Sequence, residues 1–347
     1  SSESVVSMPS LRSPNKLPCH STISRRARQA RGPVKCSRGF AGAFPVRYNE
    51  AMDIVTLTLN PCLDRTLWVG EFGGPARREE WQTGGKGVNV ARVLAALGVR
   101  SLAVCPLGGA AGDKFLSLAR GEGVEVLPVP VKPETRVIDT RVRERDFEQR
   151  VDYRAGSELS DAELDELEGR LFSVLPGARA LVVAGSASCG RAAGRVPGIL
   201  RRAREMGVQT ALDSNGPALL EGVRGLPDLL KPNEGELVSL VGSPEPDAAE
   251  ELIKSGVGAV LLSMGARGCC LIREGVQKYC PAPRIEAVNP VGSGDSFLAG
   301  FLYAAFKGYS DERSMMIACA AGAANAGAFP AARVSRSDIE MVLGQSI

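Results

Sequence analysis

The stretch from Asn289 to Phe301 reads N-P-V-G-S-G-D-S-F-L-A-G-F, and the rest of the chain is understood most easily from it. Gly292 and Gly294 stand just ahead of Asp295 and Ser296, and Phe297, Leu298, Ala299 and Phe301 follow at helical spacing. That order predicts a turn feeding a buried helix. Glycines let neighbouring backbone N–H groups converge on one point, and the first helical turn adds the positive end of its dipole, so the point suits an anion such as phosphate. Asp295 then sits beside the anion. A carboxylate in such a place is electrostatically costly and fits a role in chemistry, such as taking the proton from a hydroxyl that attacks phosphorus. An ordinary loop with Asp295 as a helix cap fits the same residues, and this stretch alone does not separate the two.

A second glycine-rich segment, Gly84-Gly85-Lys86-Gly87-Val88-Asn89-Val90-Ala91, precedes an amphipathic helical pattern closed by Gly98. Glycines here allow close backbone approach to a ligand, and Lys86 adds a mobile positive charge. The dinucleotide fingerprint needs glycine where Val90 stands, and the Walker A pattern needs Ser or Thr where Gly87 stands. Both are excluded.

Between these segments, strand and helix signals alternate. I-V-T-L-T-L from Ile54 predicts a strand ending in the turn N-P-C-L-D-R-T, with Asp64 at the strand's end and another short strand over Thr66 to Phe72. Ser160 and Glu163 form a capping box for a helix over Asp161 to Leu175, and A-L-V-V-A-G-S, ending at Ser186, is a buried parallel strand. Helices are expected near Gly112 to Arg120, over Val196 to Met206 and, rich in Ala and Gly, over Met315 to Ala326. Residues 134–155 alternate with period two and carry many charges, which predicts an exposed antiparallel ribbon that pairs with the strand near 66–72 over a site or a partner subunit. Repeated βα units across the body, with no internal repeat of fixed period, predict a doubly wound α/β sheet. Asp64, Lys86, Ser186, Asp213, Asn233, Glu236 and Asp295 all fall at expected strand ends or helix starts, so one site at the carboxyl edge of the sheet accounts for them together.

The 347 residues are 44% hydrophobic, ample for a core, and contain no run of 18 apolar residues. The formal charge of +3 is unevenly spread. Residues 1–50 hold nine Lys/Arg against Glu3 and Glu50, a net of +7, which leaves 33 basic and 37 acidic side chains, a net of −4, for the rest. A body of that charge is not a nucleic-acid binder by electrostatics, and no membrane partner is expected. Residues 1–51 are rich in Ser, Arg and Pro and lack an apolar core segment, which fits an organelle transit peptide, plastid ahead of mitochondrion, cleaved between Val34 and Met52; a plain basic tail is the alternative. Nine cysteines occur without C-x-x-C spacing and are expected to be reduced and mostly buried, with the adjacent Cys269 and Cys270 open to redox chemistry. His20 is the only histidine, so residues 52–347 hold neither a Ser-His-Asp triad nor a His-ligated metal.

Taken together, G-G-K-G-V-N-V-A at 84–91, K-P-N-E-G-E-L at 231–237 and N-P-V-G-S-G-D-S-F-L-A-G at 289–300 closely resemble the ribokinase-like (PfkB) carbohydrate kinases, over about Asp53 to Val342. T-L-N-P-C-L-D at 58–64, E-T-R at 134–136 and the lysine of G-G-K-G are similar to the sugar-phosphate branch: 1-phosphofructokinase, tagatose-6-phosphate kinase and the minor 6-phosphofructokinase. The resemblance implies an α/β domain over 52–347 with a small antiparallel β lid (about 64–72 and 134–155), often a dimer clasp, and an ATP- and Mg²⁺-dependent phosphotransfer to a ketohexose monophosphate. It implies Asp295 as base and the N–H groups of Gly292, Ser293 and Gly294 as the anion hole. Asn233 and Glu236 would organise Mg²⁺ mainly through water, and Lys231 would reach the nucleotide phosphates. Asp64, Gly85, Asn89 and Ser186 would lie at the sugar, Lys86 and Arg136 at its phosphate, and Ser263, Gly265, Gly268 and Asn325 around the nucleotide. Two places depart from the family pattern near the substrate end: Ile138 stands where many relatives have Asn, and Gly185-Ser186-Ala187-Ser188 replaces G-S-L-P, with Arg191 nearby as a possible basic contact. A kinase acting on an unphosphorylated sugar or nucleoside, and a plastid assembly protein that keeps the fold without catalysis, are the competing functions. Gly292, Gly294, Asp295 and Glu236 together favour catalysis.

Overall fold

The computed structural model describes residues 52–347; the expected transit segment lies outside the described residues. Thirteen strands are described: β1 (Ile54–Leu57), β2 (Cys62–Val69), β3 (Ala76–Gly84), β4 (Ser101–Leu107), β5 (Glu125–Pro130), β6 (Arg136–Arg143), β7 (Gln149–Asp152), β8 (Ala180–Ala184), β9 (Gln209–Asp213), β10 (Leu229–Leu230), β11 (Val260–Ser263), β12 (Cys269–Arg273) and β13 (Val276–Cys280). Nine form one sheet in the order β13-β12-β11-β10-β9-β8-β1-β4-β5. The seven strands from β11 to β5 run parallel, and the β12–β13 hairpin continues the sheet antiparallel at one edge.

The sheet is covered on both faces, and the period-two pattern of its strands shows why. Ile54, Val182 and Ala184 point into one core, while Val55, Leu57, Leu181 and Val183 point into the other. The first core is closed by α1 (Lys86–Ala96) and, further along the chain, by the helices Ser293–Phe306 and Asp311–Ala326. The second takes side chains from the helices between, which in chain order are α2 (Gly109–Gly121, over its own smaller cluster), α3 (Asp161–Val174), α4 (Gly190–Glu205), α5 (Gly216–Gly222), α6 (Glu234–Val241) and α7 (Glu250–Ser255). The two long helices of the first face are α8 (Ser293–Phe306) and α9 (Asp311–Ala326), followed by α10 (Arg336–Leu343). Small residues let α8 and α9 approach closely: a methyl at Gly300 would stand 2.9 Å from the Ala321 side chain.

Sequence expectations and structure agree on the architecture and on the capping box of Ser160 and Glu163. Several boundaries differ. Helix α4 starts at Gly190 and carries Pro197 inside, and α9 starts at Asp311 behind a Ser310 cap. Asp64 lies within β2, not at the end of a strand. Cys269 and Cys270 alternate across β12 into opposite cores, so they do not face each other; the Cys269 thiol lies 3.5 Å from that of Cys319 on α9. The seven described cysteines are free thiols.

The lid is a second sheet of order β3-β2-β6-β7. Its outer pairs are antiparallel, as expected, but the central pair β2–β6 is parallel. Arg65 and Asp139 cross that pair in a two-pronged ion pair at 2.7 and 2.6 Å. Chain direction in the main sheet turns at β1: the chain runs out to β4 and β5, then returns to β8 on the other side. Ligands of doubly wound sheets bind at that point, beyond the carboxyl ends of the strands.

Candidate active site

The carboxyl edge of the sheet opens into a cleft of about 1340 Å³, roofed by β2, β6 and β7. Ser186 follows β8, Asp213 ends β9, Lys231 follows β10 and Ser263 ends β11, so four neighbouring strands deliver their last residues to one line. Lys86 opens α1, Asn233 caps α6, and Asp295 sits in the first turn of α8.

The turn before α8 is built locally. Asn289 accepts the Val291 N–H through Oδ1 at 3.1 Å, and Gly292 adopts φ 80°, the left-handed region that glycine enters without strain. A methyl at Gly292 would stand 3.0 Å from the Ala332 nitrogen and 3.2 Å from the Ala331 side chain. Gly294 leaves room for the Lys231 ammonium, which lies 3.5 Å from where its Cβ would be. Asp295 is 5% exposed, and its Oδ2 accepts from Nδ2 of Asn89 at 2.7 Å.

Behind Asp295 is a second carboxylate, Asp213, fully buried. Its Oδ1 takes the Lys86 ammonium at 2.9 Å and the Lys231 ammonium at 3.4 Å. Lys86 also reaches Glu236 at 3.6 Å. Burial pushes the pKa of Asp295 up, the Asp213 charge pushes it further, and Lys86, the Asn89 hydrogen bond and Lys231 pull it back, for a value of about 6. Burial works against the charge on Lys86, but Asp213, Asp295 and Glu236 outweigh it and hold the ammonium above its ordinary value. The cleft thus combines a carboxylate able to accept a proton near neutrality with two ammonium groups and the opening turn of a helix. That is the equipment for moving a phosphoryl group to a hydroxyl.

The family profile described as pfkB family carbohydrate kinase matches residues 47–335. The chain belongs to the pfkB family of carbohydrate kinases. It is 28% identical over 280 residues to 1-phosphofructokinase of Vibrio cholerae (78% of this chain, 88% of the relative). It is 31% identical over 288 residues to tagatose-6-phosphate kinase of Staphylococcus epidermidis (79% and 92%). Phosphofructokinase-2 from Escherichia coli, solved in complex with potassium, superposes with a TM-score of 0.79 at 30% identity, covering 84% of this chain and 98% of that one.

As a pfkB kinase, the chain places its sequence-selected residues as follows. Asp64, Gly85, Lys86, Asn89, Arg136, Ser186, Lys231, Asn233, Ser263, Gly265, Gly268, Gly292, Ser293, Gly294 and Asp295 all line the cleft. Asn325 does not. It is 1% exposed behind the loop, donating through Nδ2 to Val291 O at 2.7 Å and Ser293 Oγ at 2.9 Å and accepting the Ala332 N–H, so it holds the α8 turn in shape. Gly268 has a packing reason to be glycine, since a Cβ there would stand 2.0 Å from the Cys280 carbonyl. The Ser293 N–H already donates to Pro290 O at 3.2 Å, whereas Gly294 is the second residue of the helix, where N–H groups have no intrahelical acceptor. Lys86, expected at the sugar's phosphate, lines the cleft and is ion-paired with Asp213 at 2.9 Å and Glu236 at 3.6 Å. Arg136 forks to the carbonyls of Arg154 and Asn60 at 2.9 and 3.0 Å. Arg191 stays outside the cleft and faces Leu159 and Asp161.

Asn233 and Glu236 form a full capping box: Glu236 N–H donates to Asn233 Oδ1 at 2.9 Å, and Asn233 N–H to Glu236 Oε2 at 2.8 Å. The N-x-x-E pattern therefore starts a helix, and of its two residues Asn233 lines the cleft. Asn60 and Thr58, just beyond β1, line the cleft too and were not selected from sequence; the signal was there in T-L-N-P, read as a turn and as a mark of the sugar-phosphate branch without a role for either residue.

Proposed function

We propose that the protein is an ATP-dependent kinase that phosphorylates a free hydroxyl of a ketohexose monophosphate (fructose 6-phosphate, fructose 1-phosphate or tagatose 6-phosphate) to the bisphosphate. The observation that carries this is the buried Asp295 carboxylate set against Lys86, Lys231 and the start of α8 inside a cleft with room for nucleotide and sugar together. In this mechanism Asp295 takes the proton of the sugar hydroxyl as its oxygen bonds to the γ-phosphorus and the bond to ADP breaks. Lys86, Lys231 and the first-turn amides of α8 balance the charge that develops on the transferred group. Asp64 and Asn89 bind sugar hydroxyls, and Arg136, a cation of the lid side, is assigned to the phosphate the sugar already carries.

Magnesium fits the residues present. Asn233 lines the cleft, and Glu236 caps α6 through Oε2 while its Oε1 lies 3.6 Å from the Lys86 ammonium, so these two would hold the metal mainly through water. The chemistry supplied there by bound Mg²⁺ would be neutralisation of nucleotide phosphate charge.

Two features of the assembly are proposed alongside. The exposed Phe147, packed with Trp68 and Phe329 on the lid, supports a homodimer formed through the lid, tested by light scattering of wild type against Phe147→Glu. Residues 1–51 are proposed to direct the protein to plastids, supported by their basic, Ser-rich composition; a fluorescent fusion carrying them tests this. The activity itself is tested by ADP release from Mg-ATP with fructose 6-phosphate, fructose 1-phosphate, tagatose 6-phosphate, fructose and ribose, using residues 52–347 and the Asp295→Asn variant. Turnover on a phosphorylated ketose, falling by ~10² or more in Asp295→Asn, supports the proposal. Turnover only on an unphosphorylated sugar, or none on any, overturns it.

A further inference from the structure

Asp295 is the near end of a buried chain of polar contacts that the reaction as described does not use. Asn89 gives its Nδ2 to Asp295 at 2.7 Å, and its Oδ1 accepts from Nη1 of Arg92 at 2.8 Å. Arg92 lies three residues on, on the same side of α1, and is 5% exposed. Its Nε and Nη2 donate to Glu122 Oε2 at 3.2 and 2.9 Å, and Nη2 donates also to the Thr83 hydroxyl at 2.7 Å. Glu122 stands at the end of α2 with its side chain 3% exposed, takes the Thr83 N–H at 3.1 Å and pairs with Arg333 at 3.0 Å.

An Asn amide has a donor end and an acceptor end, and its neighbours decide which end points where. With a guanidinium on one side and a carboxylate on the other, only one orientation is tolerated. Flipping Asn89 would set its NH₂ against Arg92 and its oxygen against Asp295, both repulsive. A guanidinium required only for the fold would be satisfied by Glu122 and Thr83; here one arm of the fork is spent on a residue that lines the cleft.

We propose that Arg92, clamped by Glu122 and Thr83, is a positioning residue for phosphoryl transfer: it locks the Asn89 amide, and through it the orientation of the Asp295 carboxylate toward the attacking hydroxyl. This inference rests on Asp295 being the base proposed above. With Oδ2 engaged by Asn89, Oδ1 is the atom assigned to the substrate. The Asn89 hydrogen bond favours the ionised carboxylate, so loosening it raises the pH at which Asp295 becomes competent.

Arg92→Lys tests this. A lysine keeps the charge opposite Glu122 but cannot fork to Glu122, Thr83 and Asn89 together. The expected result is a kcat lower by ~10- to 100-fold, KM for ATP within about threefold of wild type, and an acidic limb of kcat/KM displaced to higher pH. In an Asn89→Ala background, where no amide remains to be oriented, Arg92→Lys should lower kcat by no more than about twofold further. A folded Arg92→Lys enzyme with wild-type kcat and an unmoved limb overturns the proposal, as does a full additive loss in the Asn89→Ala background. If Arg92→Lys does not fold, the nearly isosteric Glu122→Gln decides by the same upward displacement of the limb, and its absence overturns the proposal. Failure of the base assignment is separate and visible: Asp295→Asn would then retain activity, whereas an inactive Asp295→Asn with an unaffected Arg92→Lys sinks only this inference.

Discussion

With Asp295 as the proposed base, the pH dependence of the reaction is expected to be set by Asp295 and by the carboxylate behind it. Burial, and after it the charge of Asp213, move Asp295 from an ordinary 3.8 to about 6. A base of that value is about nine-tenths ionised at pH 7 and about one-tenth at pH 5, so kcat/KM at pH 5 is expected to be roughly a tenth of its pH 7 value. Replacing Asp213 by Asn removes the repulsion and releases the two ammonium groups that Asp213 now holds at 2.9 and 3.4 Å. Both changes favour the ionised form of Asp295, so the acidic limb of Asp213→Asn moves to lower pH, and a displacement of one unit corresponds to ~1.4 kcal/mol. The assay is ADP release between pH 5 and 8.5 at saturating Mg-ATP with the sugar phosphate varied. The phosphates of the substrates titrate identically for both proteins, so the difference between the two profiles belongs to the enzyme. Limbs that superimpose, or a variant limb at higher pH, would refute the electrostatic account whatever happens to the absolute rate.

Three further outcomes are expected. Because Asp295 binds its proton more tightly in the folded than in the unfolded chain, stability falls as pH rises from about 4 to about 6 and stays lower above it; Asp295→Asn should therefore melt higher than wild type at pH 7.5, by up to ~3 kcal/mol of stability, with the gap closing toward pH 4 in calorimetry. Gly292→Ala places a side chain at φ 80° and 3.0 Å from the Ala332 nitrogen, so it should lose ~1–2 kcal/mol from backbone strain alone and lower kcat more than either KM; a variant as stable and active as wild type would show that the turn is not held as described. Asn325→Ala leaves Val291 O and the Ala332 N–H without their partner, and should lower Tm and kcat together; a pure rise in KM for ATP would return Asn325 to the nucleotide.

What could be read from the sequence was what is decided locally. The turn and helix start at Gly292 to Asp295, the capping box at Ser160 and Glu163 and the alternation of buried strands each depend on residues a few positions apart, and they appear where expected. Strand β3 was missed because A-R-R-E-E-W-Q-T-G lacks an apolar face; its pairing with β2 supplies what its own pattern does not. The parallel β2–β6 pairing joins segments about seventy residues apart, and no local signal carries that register. Lys86 and Asn325 were placed by motif, whereas their positions are decided by partners far along the chain, Asp213 for one and Ala332 for the other. Arg92 escaped notice for the opposite reason: within R-V-L-A-A-L it reads as an ordinary solvent-facing helix residue, and its partners Glu122, Thr83 and Asn89 explain its burial.

The stitched lid has a consequence for how the protein acquires its shape. Strands β2 and β3 leave the main sheet before α1, and β6 and β7 leave it only after β5, so the roof cannot close until two excursions separated by α1, β4, α2 and β5 have been brought level. Loop closure over that distance is entropically slow compared with forming the βα units beneath. On the placement of substrates proposed above, the nucleotide floor is expected to be ordered first and the sugar-binding roof last. In pulsed hydrogen exchange during refolding, amides of β1, β8 and β9 should gain protection ahead of those bridging β2 and β6; simultaneous protection would contradict this order. A newly made chain would thus pass through a stage at which ATP has a place to bind and the sugar does not.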